Sequence, residues 1–285
     1  MSNPDQNEPM GEHGPLAKAI LTDVTKCIGC ERCVEACTRV NRLPRHTPTS
    51  YLAKDGLSAD RYTSIVELES EKPEDWATVR RQCMHCQDPS CAAACLVGAF
   101  EKRPDGPVVY DASKCIGCRY CMLACPFGIP RYEYDELLPY VAKCKMDESC
   151  RVEGGMPACV SECPTKATIF GPRDKLIEEA KRRIENEPDL YEPHVYGEHE
   201  FGGTSVLYIS HVPLNDVLRM PSKEDFKALR VEALSHESIP HLVHTWVLVT
   251  PFQFVGVGAA LSGIWFFRRK DRIKAEAAAK NGGAS

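Results

Sequence analysis

The run Cys115-Ile116-Gly117-Cys118-Arg119-Tyr120-Cys121-Met122-Leu123-Ala124-Cys125-Pro126 spaces its thiols as C-x2-C-x2-C-x3-C-P. That spacing suits bacterial-type [4Fe–4S] cubanes, in which three thiolates of a run hold one cluster and the fourth reaches a second. Each iron of a cubane takes one soft thiolate, so three closely spaced cysteines can cover one face of it. Gly117 stands between the first two ligands, where a tight backbone turn is easiest without a Cβ. Pro126 stiffens the exit from the last ligand and stops a helix from running through it.

The same order recurs on either side. Cys27-Ile-Gly-Cys30-Glu-Arg-Cys33-Val-Glu-Ala-Cys37 repeats both the spacing and the C-I-G-C start, with Thr38 in place of the proline. Cys83-Met-His-Cys86-Gln-Asp-Pro-Ser-Cys91-Ala-Ala-Ala-Cys95 follows the plan with a wider loop that includes Pro89. The fourth run is irregular: Cys144 and Cys150 precede Cys159-Val-Ser-Glu-Cys163-Pro164. Asp147 occupies the place of a second ligand, three residues after Cys144. Either Asp147 binds iron or Cys150 takes that place through a longer loop. The preference of these clusters for thiolate favours Cys150.

Such self-similarity implies a duplicated unit. The expected fold is α+β, with duplicated bacterial-type 2[4Fe–4S] ferredoxin domains carrying insertions. All sixteen cysteines fall in the four runs, the ligand count of four [4Fe–4S] clusters. A disulfide scaffold is the competing use of so many cysteines, but small disulfide folds seldom repeat C-x2-C pairs in this order. A zinc-binding adaptor would pair C-x2-C units across a gap, and a C-x2-C-x2-C-x3-C run does not fit one tetrahedron. His85, between two ligands, is either a hydrogen-bond donor that tunes a cluster or a polar residue near the surface; its polarity favours the latter.

The remaining segments frame these runs. Residues 1–17 are polar, with no secretory apolar stretch and no twin-arginine pair, and read as a tail. Residues 18–171 form the four-cluster domain. Within it Ala19–Val24 is a strand candidate, 38–80 a charged, irregular surface insertion suited to a partner contact, and Ala167–Gly171 a closing strand. Leu96–Phe100 and Pro107–Asp111 read as a hairpin around Arg103-Pro-Asp-Gly106. An extension and linker covers 172–240. Its Leu176, Ile177, Ala180 and Ile184 have helical spacing over 172–187, and Ser205–Val212 is a β-rich run packed beside the cluster domain.

From Leu242 to Phe267 there is no charged residue, which is long enough for a bilayer. Trp246 and Trp265 lie near the two ends and Pro251 near the start. A transmembrane helix over 241–268 is therefore expected, followed by a basic tail over 269–285. Arg268, Arg269, Lys270, Arg272 and Lys274 keep that end in the cytoplasm by the positive-inside rule and leave the cluster domain on the periplasmic side of the inner membrane. His241 and His244 stand at the mouth of the span, either near a quinone or haem site of a neighbour or as ordinary interfacial polar residues. The net charge of −5 indicates no basic face for nucleic acid.

The four runs and the tail resemble the four-cluster iron–sulfur (β) subunit of membrane-bound formate dehydrogenase and the ferredoxin-like subunit of periplasmic [NiFe] hydrogenases. The stretches that carry the resemblance are 17–30, Gln82–Cys86, Cys118–Pro126 and Pro157–Pro164. Asp147 departs from the pattern. The resemblance implies that the first run pairs with the fourth and the second with the third. One cluster would use Cys83, Cys86, Cys91 and Cys125, and its neighbour Cys95, Cys115, Cys118 and Cys121. A third would use Cys27, Cys30, Cys33 and Cys163, and the last Cys37, Cys144, Cys150 and Cys159.

It further implies a non-catalytic electron-transfer subunit. Electrons would come from a molybdenum or tungsten formate dehydrogenase or a [NiFe] catalytic subunit. They would pass to a membrane cytochrome b or other quinone-reactive subunit, with the chain anchored in lipid and exported on its partner's signal. Another molybdopterin or reductase complex is the alternative host.

Overall fold

The structure, a computed structural model, describes residues 17–44, 56–68, 76–133, 140–214 and 238–241, with scattered positions from 243 to 265. Residues 1–16 of the expected tail, parts of the 38–80 insertion, residues 215–237 of the linker, most of the expected span and all of the basic tail lie outside the described residues. The chain forms two compact units, Met1–Pro240 and His241–Ser285.

The first unit is built on β1 (Lys18–Asp23). Its run of small and branched residues suits a strand covered on both faces, and Ala19, Ile20 and Leu21 are fully buried. β1 pairs antiparallel with β8 (Thr168–Pro172), Ile20 opposite Phe170, and parallel with β9 (Val206–Ile209), Leu21 opposite Leu207. The sheet order is therefore β8–β1–β9. The β-rich run at Ser205 is thus part of the sheet itself, not a neighbour of it.

Alternation along these strands divides the core in two. Ala19, Leu21, Leu207 and Ile209 pack against Leu176 and Ala180 of α5 (Arg173–Asn186). Ile20, Val206 and Tyr208 face the other way, into a core shared with Val79, Phe127, Met146 and Cys159. The sheet is a wall with a helix behind it and the thiols in front.

Two nested units sit in front of the wall. In the outer one, α1 (Arg32–Val40) packs on α4 (Ala158–Ser161). In the inner one, α2 (Ser90–Ala93) packs on α3 (Tyr120–Ala124). The expected hairpin between them is β4 (Phe100–Lys102) with β5 (Val108–Tyr110), Phe100 opposite Tyr110. Its first strand starts at Phe100 rather than Leu96, because Gly98 takes a left-handed φ of 60° in the turn that follows Cys95. A short pair, β6 (Arg131–Tyr132) with β7 (Val141–Ala142), closes the inner unit.

The insertion corrects an expectation. Residues 38–80 read as an irregular surface excursion, yet β2 (Ser64–Leu68) and β3 (Ala77–Arg81) form an antiparallel pair. The end of β3 is interior: Val79 is fully buried, and Arg80, Arg81 and Gln82 are buried too. Charge misled the reading because these cations are solvated by the protein. Arg81 Nη2 donates to the Phe127 carbonyl at 2.7 Å, and Arg80 faces thiols.

In the second unit every described position from His241 to Trp265 is helical. His241 and His244 lie on exposed parts of it. No helix among the described residues is long and apolar enough to cross a membrane.

Candidate functional site

Each run begins with the same turn. The residue two places after the first cysteine is left-handed in all four: Gly29 (φ 66°), His85 (49°), Gly117 (71°) and Met146 (55°). The reversal lets the next ligand return to the same side as the first. Glycine adopts it without strain. His85 and Met146 accept it because their side chains are buried at 0% and 1% exposure, so the surrounding packing over-determines the backbone.

A short helix then carries the third ligand: Cys33 on α1, Cys91 on α2, Cys121 on α3 and Cys159 on α4. The fourth cysteine follows four residues later, about one turn or 6 Å along the helix direction. After Cys95, Cys125 and Cys163 the chain turns back, with Gly98, Gly128 and Lys166 donating to the three cysteine carbonyls at 3.2, 3.1 and 3.3 Å. This turn brings backbone N–H groups onto sulfur: Ala99 N–H donates to Cys95 Sγ at 3.2 Å. Burial pushes the Cys163 thiol up, but hydrogen bonds from Thr168, Thr165 and Ala167 win and hold it below its usual value.

The thiols gather in groups. Burial is the main force raising them, and the neighbours that add to it reveal who lies beside whom. Cys27 feels Cys163 and Cys30, and Cys33 feels Cys27 and Cys30. Cys37, pushed up to about 12, feels Cys159 and Cys150, and Cys144 feels those three. Cys86 feels Cys125, Cys83 and Cys91. Cys121 feels Cys115 and Cys118, and an apolar cluster holds it together with Cys91, Cys95 and Cys115.

The quartets also form a row. Cys91 of one feels Cys121 of the next, Cys144 feels Cys83, and Cys33 feels Cys159. The order runs from the quartet with Cys118, through those with Cys83 and Cys144, to the one with Cys30. Cys118 and Cys30, at the two ends, are the exposed cysteines.

The fit to cubanes can be tested at the Cys30 end. Cys27, Cys30, Cys33 and Cys163 line one pocket, partly open to solvent, together with Ile28, Ile65 and Arg80. Among the described residues no three Cys, His, Asp or Glu converge closely enough for a single metal ion. Soft donors around a volume, rather than around a point, are what a four-iron core requires.

Two positions left open by sequence now have surroundings. Asp147 Oδ1 accepts the Ser149 N–H at 2.9 Å and the Ser149 hydroxyl, so its carboxylate caps the turn Glu148–Cys150. Cys150 is buried, and its thiol is raised to about 11 by burial and by Cys159. His85 is not near the surface, as expected, but fully buried. Its Nδ1 accepts the Val108 N–H at 2.9 Å. Burial, with Lys143 and Lys102 close by, holds it well below its ordinary value and therefore neutral, so Nε2 carries the proton and, among the described residues, has no partner.

Sequence reading missed three cations beside the thiols, Lys143 and Arg80 buried and Lys102 half-buried. Lys102 Nζ donates to the carbonyls of His85 and Gly106, at 3.0 and 2.6 Å. Lys143 donates to the carbonyls of Val108 and Cys144. Arg80 Nη2 donates to Cys159 Sγ at 2.9 Å. The only advance signal was their closeness in sequence to the runs.

Two family models described as 4Fe–4S dicluster domains match this chain, over residues 26–99 and 74–173. A protein of Nitratidesulfovibrio vulgaris is 38% identical over 90% of this chain and 68% of its own length. The hydrogenase-2 operon protein HybA of Escherichia coli O157:H7 is 36% identical over 78% of each chain. The iron–sulfur subunit of the nitrate-inducible formate dehydrogenase of Escherichia coli K12 is 36% identical over 68% of each. Two dicluster domains account for sixteen thiols as four [4Fe–4S] clusters. Shared over most of their lengths, this doubled cluster-binding plan means that the chain belongs to the family of iron–sulfur electron-transfer subunits that includes HybA and the formate dehydrogenase iron–sulfur subunits.

Proposed function

We propose that this chain is a relay between a catalytic subunit and a membrane quinone-reactive or cytochrome b subunit, with its clusters held as the four quartets above. Cys95, Cys115, Cys118 and Cys121 hold the first, and Cys83, Cys86, Cys91 and Cys125 the second. Cys37, Cys144, Cys150 and Cys159 hold the third, and Cys27, Cys30, Cys33 and Cys163 the fourth. The observation that carries this reading is the row of quartets with an exposed cysteine at each end.

When bound, a [4Fe–4S] cluster supplies a redox couple whose potential depends on charge, sulfur hydrogen bonds and exposure. The chain supplies the rest. Its thiolates fix the centres in a row, its sheet and apolar core keep water from the middle two, and its backbone N–H groups point at sulfur. At the ends it presents apolar surface for docking: Ile116, Leu123, Tyr120 and Leu96 are exposed near Cys118, and Ile28 beside Cys30. Exposed apolar clusters on an otherwise polar surface mark protein contacts.

The charge-free stretch 242–267 anchors the chain in the inner membrane, with residues 269–285 in the cytoplasm and the cluster domain outside. The catalytic partner is a hydrogenase or a formate dehydrogenase. The greater share of chain matched by the hydrogenase-2 operon protein favours the hydrogenase. Purification of the native complex through this chain should bring with it hydrogen-dependent dye reduction. Formate-dependent reduction instead would assign the other partner, and neither activity in an intact complex would refute the relay.

A further inference from the structure

Arg80 is buried in the interior without a carboxylate. It is 2% exposed, and among the described residues it forms no salt bridge. Its Nε donates to Thr63 Oγ1 at 3.3 Å, and its Nη2 donates to Gln82 Oε1 and to Cys159 Sγ. Among the described residues its Nη1 has no partner, nor has Gln82 Nε2 beside it. A buried guanidinium left without a counter-charge is strongly destabilising, so its place requires an anion.

The surroundings supply two candidates, one on each side. Arg80 lines the cavity of Cys27, Cys30, Cys33 and Cys163, while its bonded sulfur belongs to the quartet of Cys37, Cys144, Cys150 and Cys159. It thus touches the two neighbouring quartets that meet at Cys33 and Cys159.

We propose that Arg80 is a positioning residue shared by two clusters: its fixed positive charge is their common counter-ion, its free N–H groups are donors to their sulfur, and it raises both potentials together. A cubane with four thiolates is an anion and gains negative charge on reduction, so a fixed cation favours the reduced form of each. Hydrogen bonds to sulfur act in the same direction. The inference rests on the ligand sets proposed above. It goes beyond them in assigning one residue to the energetics of a specific pair.

The test is a reductive titration followed by low-temperature paramagnetic resonance, on the whole chain and on Arg80→Met, with iron measured in both. With iron unchanged, two of the four potentials should fall by about 59 mV or more, a tenfold lower reduced-to-oxidised ratio for a one-electron couple. The other two should stay. Four unchanged potentials, or a shift in one cluster alone, would overturn the shared role.

Should Arg80→Met lose iron, Arg80→Lys and Arg80→Gln decide. The lysine variant is expected to keep both potentials near those of the parent and the glutamine variant to lower both; equal potentials in the two would overturn the inference. A parent chain without cubanes would refute the ligand reading instead, which keeps the two failures distinct.

Discussion

Cys125→Ala is expected to lower the iron content from about sixteen to about twelve atoms per chain, and Cys83→Ala added to it should remove no more. The two residues lie in different runs, 42 positions apart by their numbers, yet Cys86 and Cys91 each feel both. Cys125 lies one helical turn beyond Cys121, and its sulfur takes hydrogen bonds from the backbone of Ile129, Phe127 and Gly128. Cys125→Ala combined with Cys115→Ala should therefore cost about eight irons, because two quartets are broken. If instead the Cys115 pair lost about four and the Cys83 pair about eight, the ligand would belong to its own run.

The second large effect concerns the irregular run. Cys150→Ser should remove about four irons, while Asp147→Asn should remove none. Cys150 is buried beside Cys159, Cys144 and Cys37. The Asp147 carboxylate is occupied at Ser149, a role that the asparagine oxygen can keep. Iron analysis with sulfide determination separates the two variants. Loss of iron from Asp147→Asn alone would make the carboxylate the ligand.

Much of this was legible before the fold was seen. Cysteine spacing, the C-I-G-C repeat, the strand at Ala19 and the closing strand at Ala167 are local signals, and β1 and β8 lie where those signals put them. The exchange of fourth ligands is what the spacing leads one to expect. What spacing could not say is which runs meet. That is decided by Ile20 pairing with Phe170 at the opposite end of the domain, which brings Cys27 to Cys163.

Burial of charge was also hidden. Arg80 and Arg81 look like surface residues until a thiol and a carbonyl are found to receive them. His85 looked polar and exposed, because no sequence rule foresees a histidine in a turn that glycine fills in two sister runs. At Asp147 the spacing left two readings open and thiolate preference favoured Cys150; the turn of the other runs is kept, with Met146 left-handed, and the carboxylate caps a backbone N–H. The span at 242–267 rests on sequence, since most of it lies outside the described residues.

The central claim is that the sixteen thiols hold four iron–sulfur cubanes and no other metal. Iron, acid-labile sulfide and zinc measured together on the anaerobically purified chain test it most directly. The account predicts about sixteen irons and as many sulfides per chain, with zinc at background. Stoichiometric zinc, or a colourless protein with its cysteines in disulfides, would contradict it.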